Sequence, residues 1–311
     1  MSLIAKSGMN KQKTFELSLE RGDLLPLLLM LPVLLVILSV MVVPLFYGFI
    51  LSFFNSRFGV SDYGESFLGL GNYFRFFRDQ TARKAILNTL IFSFGAITGD
   101  FVLGTICAVF LVKIPRALSS ILRPIVTIPL LVSPVVIGLI WRYIYDPQGI
   151  LYWFLGLFGL GISHFPGVTA ASTALVSVIF AQWWQVTPFV IIVLTAGLLS
   201  IPEEYYEAAK IDGAGSFSIF WKITFPQLRN VYMVIMLISG VDTLKIFDLI
   251  YSLTRGGPNN SSISLSVYAY SQAFEQLNLS YSMAISFMTM IITFMVFGIP
   301  FVRHNLGKGN R

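Results

Sequence analysis

Side chains able to do chemistry are few in this chain, and most interrupt apolar runs. Asp100, Asp242, Lys245 and Asp248 each sit among hydrophobic residues. A charge inside a membrane helix is costly and faces a cavity or another charge. The spacing of Asp242, Lys245 and Asp248 by three lets neighbours pair along one helix face. They either neutralise one another and hold helices together, or line a wet path and hydrogen-bond a polar solute. Gln182-Trp183-Trp184-Gln185 joins flat aromatic faces to planar amides, a combination that holds sugars. The alternative is plain packing, although Trp otherwise prefers the membrane interface. His164 and His304 are far apart, with no carboxylate or thiolate cluster beside them, so no metal site is expected. Cys107 is the single cysteine; it forms no internal disulfide and reads as a small packing residue. There is no Gly-rich phosphate loop ending in Lys-Ser or Lys-Thr and no nucleophile–base pair. The chain is therefore expected to be no enzyme and to carry no cofactor.

The elements that position these residues are membrane helices. Only 12% of the 311 residues are charged and 56% are hydrophobic, against about 25% charged in a soluble domain. No charge occurs between Asp23 and Arg57, Arg123 and Arg142, Asp146 and Glu203, or Glu275 and Arg303. A helix needs about 20 apolar residues to cross roughly 30 Å of hydrocarbon. The runs lack the alternation of barrel strands, so the fold class is an all-α integral membrane protein. The predicted spans are Leu24–Phe54, Asn88–Val112, Ile121–Trp141, Thr173–Leu199, Val231–Tyr251 and Tyr281–Val302. The first is too long for a signal peptide and lacks a clear cleavage site. This gives an N-terminal arm (1–23), a membrane domain (24–302) and a tail (303–311).

Six spans put both termini on one side, with Lys6, Lys11, Lys13, Lys113, Arg116, Lys210, Arg229 and Arg303. That side is richer in Lys and Arg than the one holding Arg75, Arg78, Arg142 and Arg255, so it is assigned to the cytoplasm. The net charge of +6 reflects this bias and the anionic inner leaflet rather than nucleic acid. Between Tyr143 and Gly161 an aromatic, Gly-interrupted stretch is expected along the outer interface, with Tyr152 and Trp153 at home there.

The loop from Ser200 to Arg229 is the longest charged stretch between spans on the cytoplasmic side. Ser200 and Glu203 read as a capping box, with Pro202 in the first turn. The helix is predicted to stop near Asp212, where Gly213 takes a left-handed cap. A second short helix is expected from Ser216 to about Ile223, ending before Pro226.

Within this loop stand Glu207-Ala208-Ala209, three residues, Gly213, nine residues, Ile223, one residue, Phe225 and Pro226. This resembles the signature loop of binding-protein-dependent ABC importer permeases, Glu-Ala-Ala-x3-Gly-x9-Ile-x-Leu-Pro, with Phe225 in the Leu position. Glu207 to Ala214 is similar to the version in maltose-type sugar permeases. Two further stretches resemble that family. One is Lys245 to Pro258, where Arg255 replaces the first Gly of a Gly-Gly-Gly-Pro turn; the other is Leu68 to Tyr73.

The resemblance implies that Glu207, Ala208, Ala209, Asp212, Gly213 and Pro226 belong to a cytoplasmic coupling helix docked in a groove of an ATPase subunit. It also implies a second permease subunit, two ATP-binding-cassette ATPases carrying ATP and Mg, and an extracytoplasmic binding protein that delivers a sugar to the outer face of a bacterial inner membrane. Without the family spacing, the same loop would read as an amphipathic helix lying on lipid. Glycerol phosphate or another solute could replace the sugar, and Arg142 and Arg255 leave room for an acidic oligosaccharide. A proton-driven transporter using Asp100 and Asp242 leaves the loop unexplained, and a membrane enzyme acting on lipid-linked substrates would want polar catalytic groups clustered at one interface, which the sequence lacks.

Overall fold

The structure, a computed structural model, describes residues 25–57, 67–160 and 164–302. The predicted arm (1–23), Leu24 and the predicted tail (303–311) lie outside the described residues. The chain divides into two units, Met1–Leu51 and Ser52–Arg311. In the first, helices α1 (Leu25–Ile37) and α2 (Val43–Leu51) join through a π turn at Leu38–Val42.

In the second unit α3 (Gly71–Arg78) precedes the long α4 (Gln80–Lys113). Pro-rich sequence follows as α5 (Arg116–Thr127), a 3-10 turn (Ile128–Leu131) and α6 (Pro134–Ile144), then the short α7 (Ile150–Gly156) and α8 (Ala174–Leu199). The loop after α8 folds as α9 (Glu203–Ile211), α10 (Ser216–Ile219), a π turn (Phe220–Thr224) and α11 (Phe225–Gln227). The chain continues through α12 (Arg229–Leu244), α13 (Asp248–Leu253), α14 (Leu265–Tyr270) and α15 (Leu279–Thr293). The described residues are almost entirely helical, as expected.

Among the described residues, Met30–Leu51, Gln80–Lys113, Ala174–Leu199 and Leu279–Val302 are long and apolar enough to cross a membrane. Two predicted spans are not continuous. The one at Ile121–Trp141 breaks into α5 and α6, bent by 98°. Pro129 lies in the 3-10 turn and Pro134 starts α6; Ser133, before a proline, is held extended at φ −59°, ψ 139°, since the proline ring disfavours helix there. The one at Val231–Tyr251 stops at Leu244 and restarts at Asp248.

The core of the second unit is α4 laid along α8. Small residues let the two backbones close, as in membrane helix pairs generally. Gly99 is the tightest point, because a Cβ there would land on the Trp183 ring. Trp183 Nε1 donates to the Gly95 carbonyl at 3.0 Å. Asn72 donates to the Ser52 and Phe54 carbonyls, each at 2.8 Å, which gives the Leu68–Tyr73 stretch a fastening role. Asp79 caps α4 by accepting from the Thr81 and Ala82 N–H groups. It also accepts from the hydroxyls of Tyr268 and Tyr281, tying α4 to α14 and α15. Burial raises the Asp79 carboxyl, but these four hydrogen bonds outweigh it and hold the group below its usual value. Tyr152, expected at the interface, is buried with its hydroxyl on the Phe165 carbonyl, whereas Trp153 is exposed.

Candidate functional site

The 200–229 loop does not start as a capping box. Ser200 does not cap α9: its Oγ donates back to the Gly197 carbonyl at 2.7 Å. The cap position is Pro202, without a side-chain hydrogen bond, and Glu203 is already in the first turn. Glu203 and Glu204 at the start and Lys210 at the end still suit the helix dipole. The stop is as predicted, with Asp212 at the C-cap and Gly213 at φ +75°. The second helix does not end before Pro226. It runs through the π turn into Phe225–Gln227, because proline lacks only its own N–H and fits the first turn of a segment.

No residue of α9 is buried, and Glu207, Ala208, Asp212, Gly213 and Pro226 are exposed, with Ala209 half-covered. Beside them Ile211 is 87% and Phe217 79% exposed. Two large apolar side chains thus stand open next to small residues. The inner side of the element is tied down. Tyr206 hydroxyl meets Thr224 Oγ1 at 3.4 Å, and aromatic rings run from Trp221 to Phe225 (5.2 Å), Tyr232 (5.3 Å) and Phe101 on α4 (5.7 Å). Tyr232 hydroxyl also meets Thr105 Oγ1 at 2.8 Å. Phe225, the departure from the Leu of the signature, is a member of this chain of rings.

The intramembrane polar residues fall into separate places. Asp100 is 1% exposed, taking a hydrogen bond from Thr187 on α8 at 3.1 Å, while its second oxygen has no partner. Gln182 is buried, Trp183 is wedged against α4, and Trp184 is exposed and edge-on to Trp141 at 6.3 Å. Trp183 and Trp184 border a cavity of about 750 Å³ with Trp141, Tyr145 and Pro129. Asp242 and Lys245 do pair, at 3.0 Å, with both side chains more than 60% exposed. The expected pairing of Lys245 with Asp248 along one face is lost. Lys245 ends α12, Phe247 is non-helical at φ −129°, ψ −59°, and Asp248 opens α13. Lys245 borders a second cavity, of about 820 Å³. No group of three or more His, Cys, Asp or Glu among the described residues could hold a metal.

Several residues of this architecture were not singled out from sequence. Asp79 stands in sequence among Arg75, Arg78, Arg83 and Lys84, and only the fold brings Tyr268 and Tyr281 to it. The hydroxyl series Ser282, Ser286, Thr289, Thr293 was legible as a helical stripe, but was hidden inside an apolar run.

Comparison with known proteins matches this geometry to one family. Residues 100–303 match the family described as binding-protein-dependent transport system inner membrane component. The chain is 33% identical to the trehalose/maltose transport system permease protein MalF of Thermococcus litoralis, over 78% of this chain and 81% of that one. It is 33% identical to the multiple sugar-binding transport system permease protein MsmF of Streptococcus mutans, over 82% and 85%. The fold superimposes on a chain in the crystal structure of a bacterial ABC transporter involved in the import of the acidic polysaccharide alginate. That match has a TM-score of 0.77 at 20% identity, covering 94% of this chain and 97% of that one. The chain belongs to the family of inner-membrane permease components of binding-protein-dependent transport systems. It is a transport subunit, not an enzyme.

Proposed function

We propose that this chain is one of two permeases in an ATP-binding-cassette importer that takes up a sugar or oligosaccharide handed over by an extracytoplasmic binding protein. The observation that carries this reading is the open face of Glu207-Ala208-Ala209 to Gly213 at family spacing, beside the exposed Ile211 and Phe217. It is a docking surface built on the membrane domain and tied inward to α4 and α12 by aromatic contacts. Two ATPase subunits supply Mg-bound ATP hydrolysis. Their closure moves the 200–229 element, and the two permeases alternate between outward and inward states, which ligand and nucleotide bias through differential affinity. Sugar is supported by relatives named for trehalose, maltose and multiple sugars.

The membrane is the bacterial inner membrane. The chain crosses it six times, with α12 and the break after it making the fifth crossing, and both termini are cytoplasmic. Asp100, buried against α8, joins helices. Trp183 does the same, while Asp242, Lys245 and Asp248 lie toward the solute. The test is uptake into proteoliposomes holding both permeases, the ATPases and the binding protein. ATP inside must drive accumulation that a protonophore leaves intact. Accumulation driven by a proton gradient without ATP would establish the secondary-transporter alternative.

A further inference from the structure

The groove bordered by α12, α14 and α15 is lined largely by apolar residues, among them Leu237, Val241, Met283, Met290 and Phe297, and carries two chemically distinct strips. On one, Phe247 stacks on Tyr251 (5.1 Å, 17° between planes), Tyr270 packs on both (5.1 and 4.9 Å), and Phe274 follows at 4.9 Å. Phe274 is 61% exposed. On the other, Ser282, Ser286, Thr289 and Thr293 lie at i, i+4, i+7 and i+11, one helix face, and all four border the cavity. From first to last they cover about 16 Å at 1.5 Å per residue, roughly half the hydrocarbon thickness.

Each of these hydroxyls donates its own proton to a backbone carbonyl: Ser282 to Ala269 (2.7 Å), Ser286 to Ser282 (3.0 Å), Thr289 to Ile285 (2.9 Å) and Thr293 to Thr289 (2.8 Å). What remains toward the groove is oxygen lone pairs, a row of weak acceptors for a solute rich in O–H donors. A pyranose has that character, with hydroxyls at its rim and C–H faces that lie on aromatic rings. The volume, about 820 Å³, is that of a ligand site. Weak, repeated contacts allow release as well as binding.

Two features bear on what fills the groove. The Asp242–Lys245 pair is exposed on α12 at its edge, and charged groups within a span face water or protein rather than lipid tails. Lys245 is also the single charged residue among those lining the groove, and Asp242 already neutralises it. Arg255 lies beyond the lining, its guanidinium 5.9 Å from the centre of the Tyr251 ring. An anionic sugar would have to take Lys245 from Asp242; a neutral one would not.

We propose, resting on the importer reading, that this groove is the chain's share of the sugar path. Its solute is a neutral saccharide, stacked on Tyr270 and Phe274 and donating to Ser286 and Thr293.

The assembled transporter with its binding protein is reconstituted in proteoliposomes and given a mixed hydrolysate of neutral and uronate oligosaccharides. Mass spectrometry then identifies what enters with ATP. Neutral species are expected. Tyr270→Ala should cut uptake at low sugar about tenfold, the loss of one stacking surface, while Tyr270→Phe keeps most of it. Ser286→Ala with Thr293→Val should raise the apparent KM, and Asp242→Asn, by freeing Lys245, should admit uronate species. Entry of uronate species or of none in the wild type overturns the proposal, as does unchanged uptake in Tyr270→Ala. So does loss of the second permease from Tyr270→Ala, which would make the groove a subunit interface. ATPase binding is followed throughout. If the wild type binds no ATPase, the importer reading falls; if binding is normal and uptake is indifferent to these residues, only the groove assignment falls.

Discussion

Trp183 is the residue whose role the structure makes most measurable. Its indole fills the notch left by Gly99, and its N–H is held by the Gly95 carbonyl. Trp183→Ala empties that notch. In a soluble core the cost would be roughly 3–5 kcal/mol. In a bilayer the lost contact is mainly packing, since lipid tails are as apolar as the site, so about 2–4 kcal/mol is expected by the same reasoning. Gly99→Ala drives a methyl into the ring and should cost about 1–3 kcal/mol. With the indole gone, the methyl meets no ring, so the Gly99→Ala penalty should vanish in the Trp183→Ala background. The double-mutant cycle then shows an interaction energy of about 1–3 kcal/mol. Unfolding of the purified chain by graded SDS measures each corner, with sugar uptake measured in parallel. Additivity within about 0.5 kcal/mol would refute the wedge. So would a Trp183→Ala variant with unchanged unfolding and abolished uptake, which would return Trp183 to the solute path.

Asp79→Ala removes a helix cap worth about 1 kcal/mol and two tyrosine hydrogen bonds of about 1 kcal/mol each at a half-buried carboxylate; unfolding at pH 7 should show a loss of about 2–3 kcal/mol. Because the folded carboxyl lies below its unfolded value of about 3.9, this stability is full above that value and fades as pH falls through the folded one. Wild type and variant should therefore converge in acid, and a gap that widens there would be contrary. Gly213→Val places a β-branched residue at φ +75° with nothing within 4 Å of its Cβ. The cost is backbone strain of roughly 1–2 kcal/mol, so sugar moved per ATP should drop, with Gly213→Asn milder; an unchanged ratio would show that this turn is not needed for coupling.

The membrane helices were legible because hydrocarbon thickness writes itself into run length, and the ends of α8 lie within a residue of the predicted Thr173–Leu199. The end of α9 was legible because Gly213 follows its last turn and takes the left-handed conformation. What escaped was local. Ser200 carries the right atom for a cap, but the chain turns so that its hydroxyl faces Gly197. Hydropathy is blind to the breaks at Ser133 and Lys245, since a bent span and a straight one have the same composition; Pro129 and Pro134 were the signal for the first, and no proline marks the second. Asp242, Lys245 and Asp248 share a sequence period but not a helix. Glycines at 95 and 99 were the visible sign that Trp183 packs, four residues apart on the face that α8 approaches.

In the proposed importer the 200–229 element docks an ATPase. Ile211 and Phe217 are the most exposed large apolar side chains there, each worth about 1.5–3 kcal/mol if buried by a partner. The direct measurement is co-purification, in mild detergent, of the ATPase expressed with the wild-type chain and with Ile211→Asp/Phe217→Asp. The account predicts a stable complex for the wild type, and at least a hundredfold weaker binding for a variant that still inserts and unfolds normally. A wild-type chain that is properly inserted yet binds no ATPase, or a variant that binds it equally well, would contradict it.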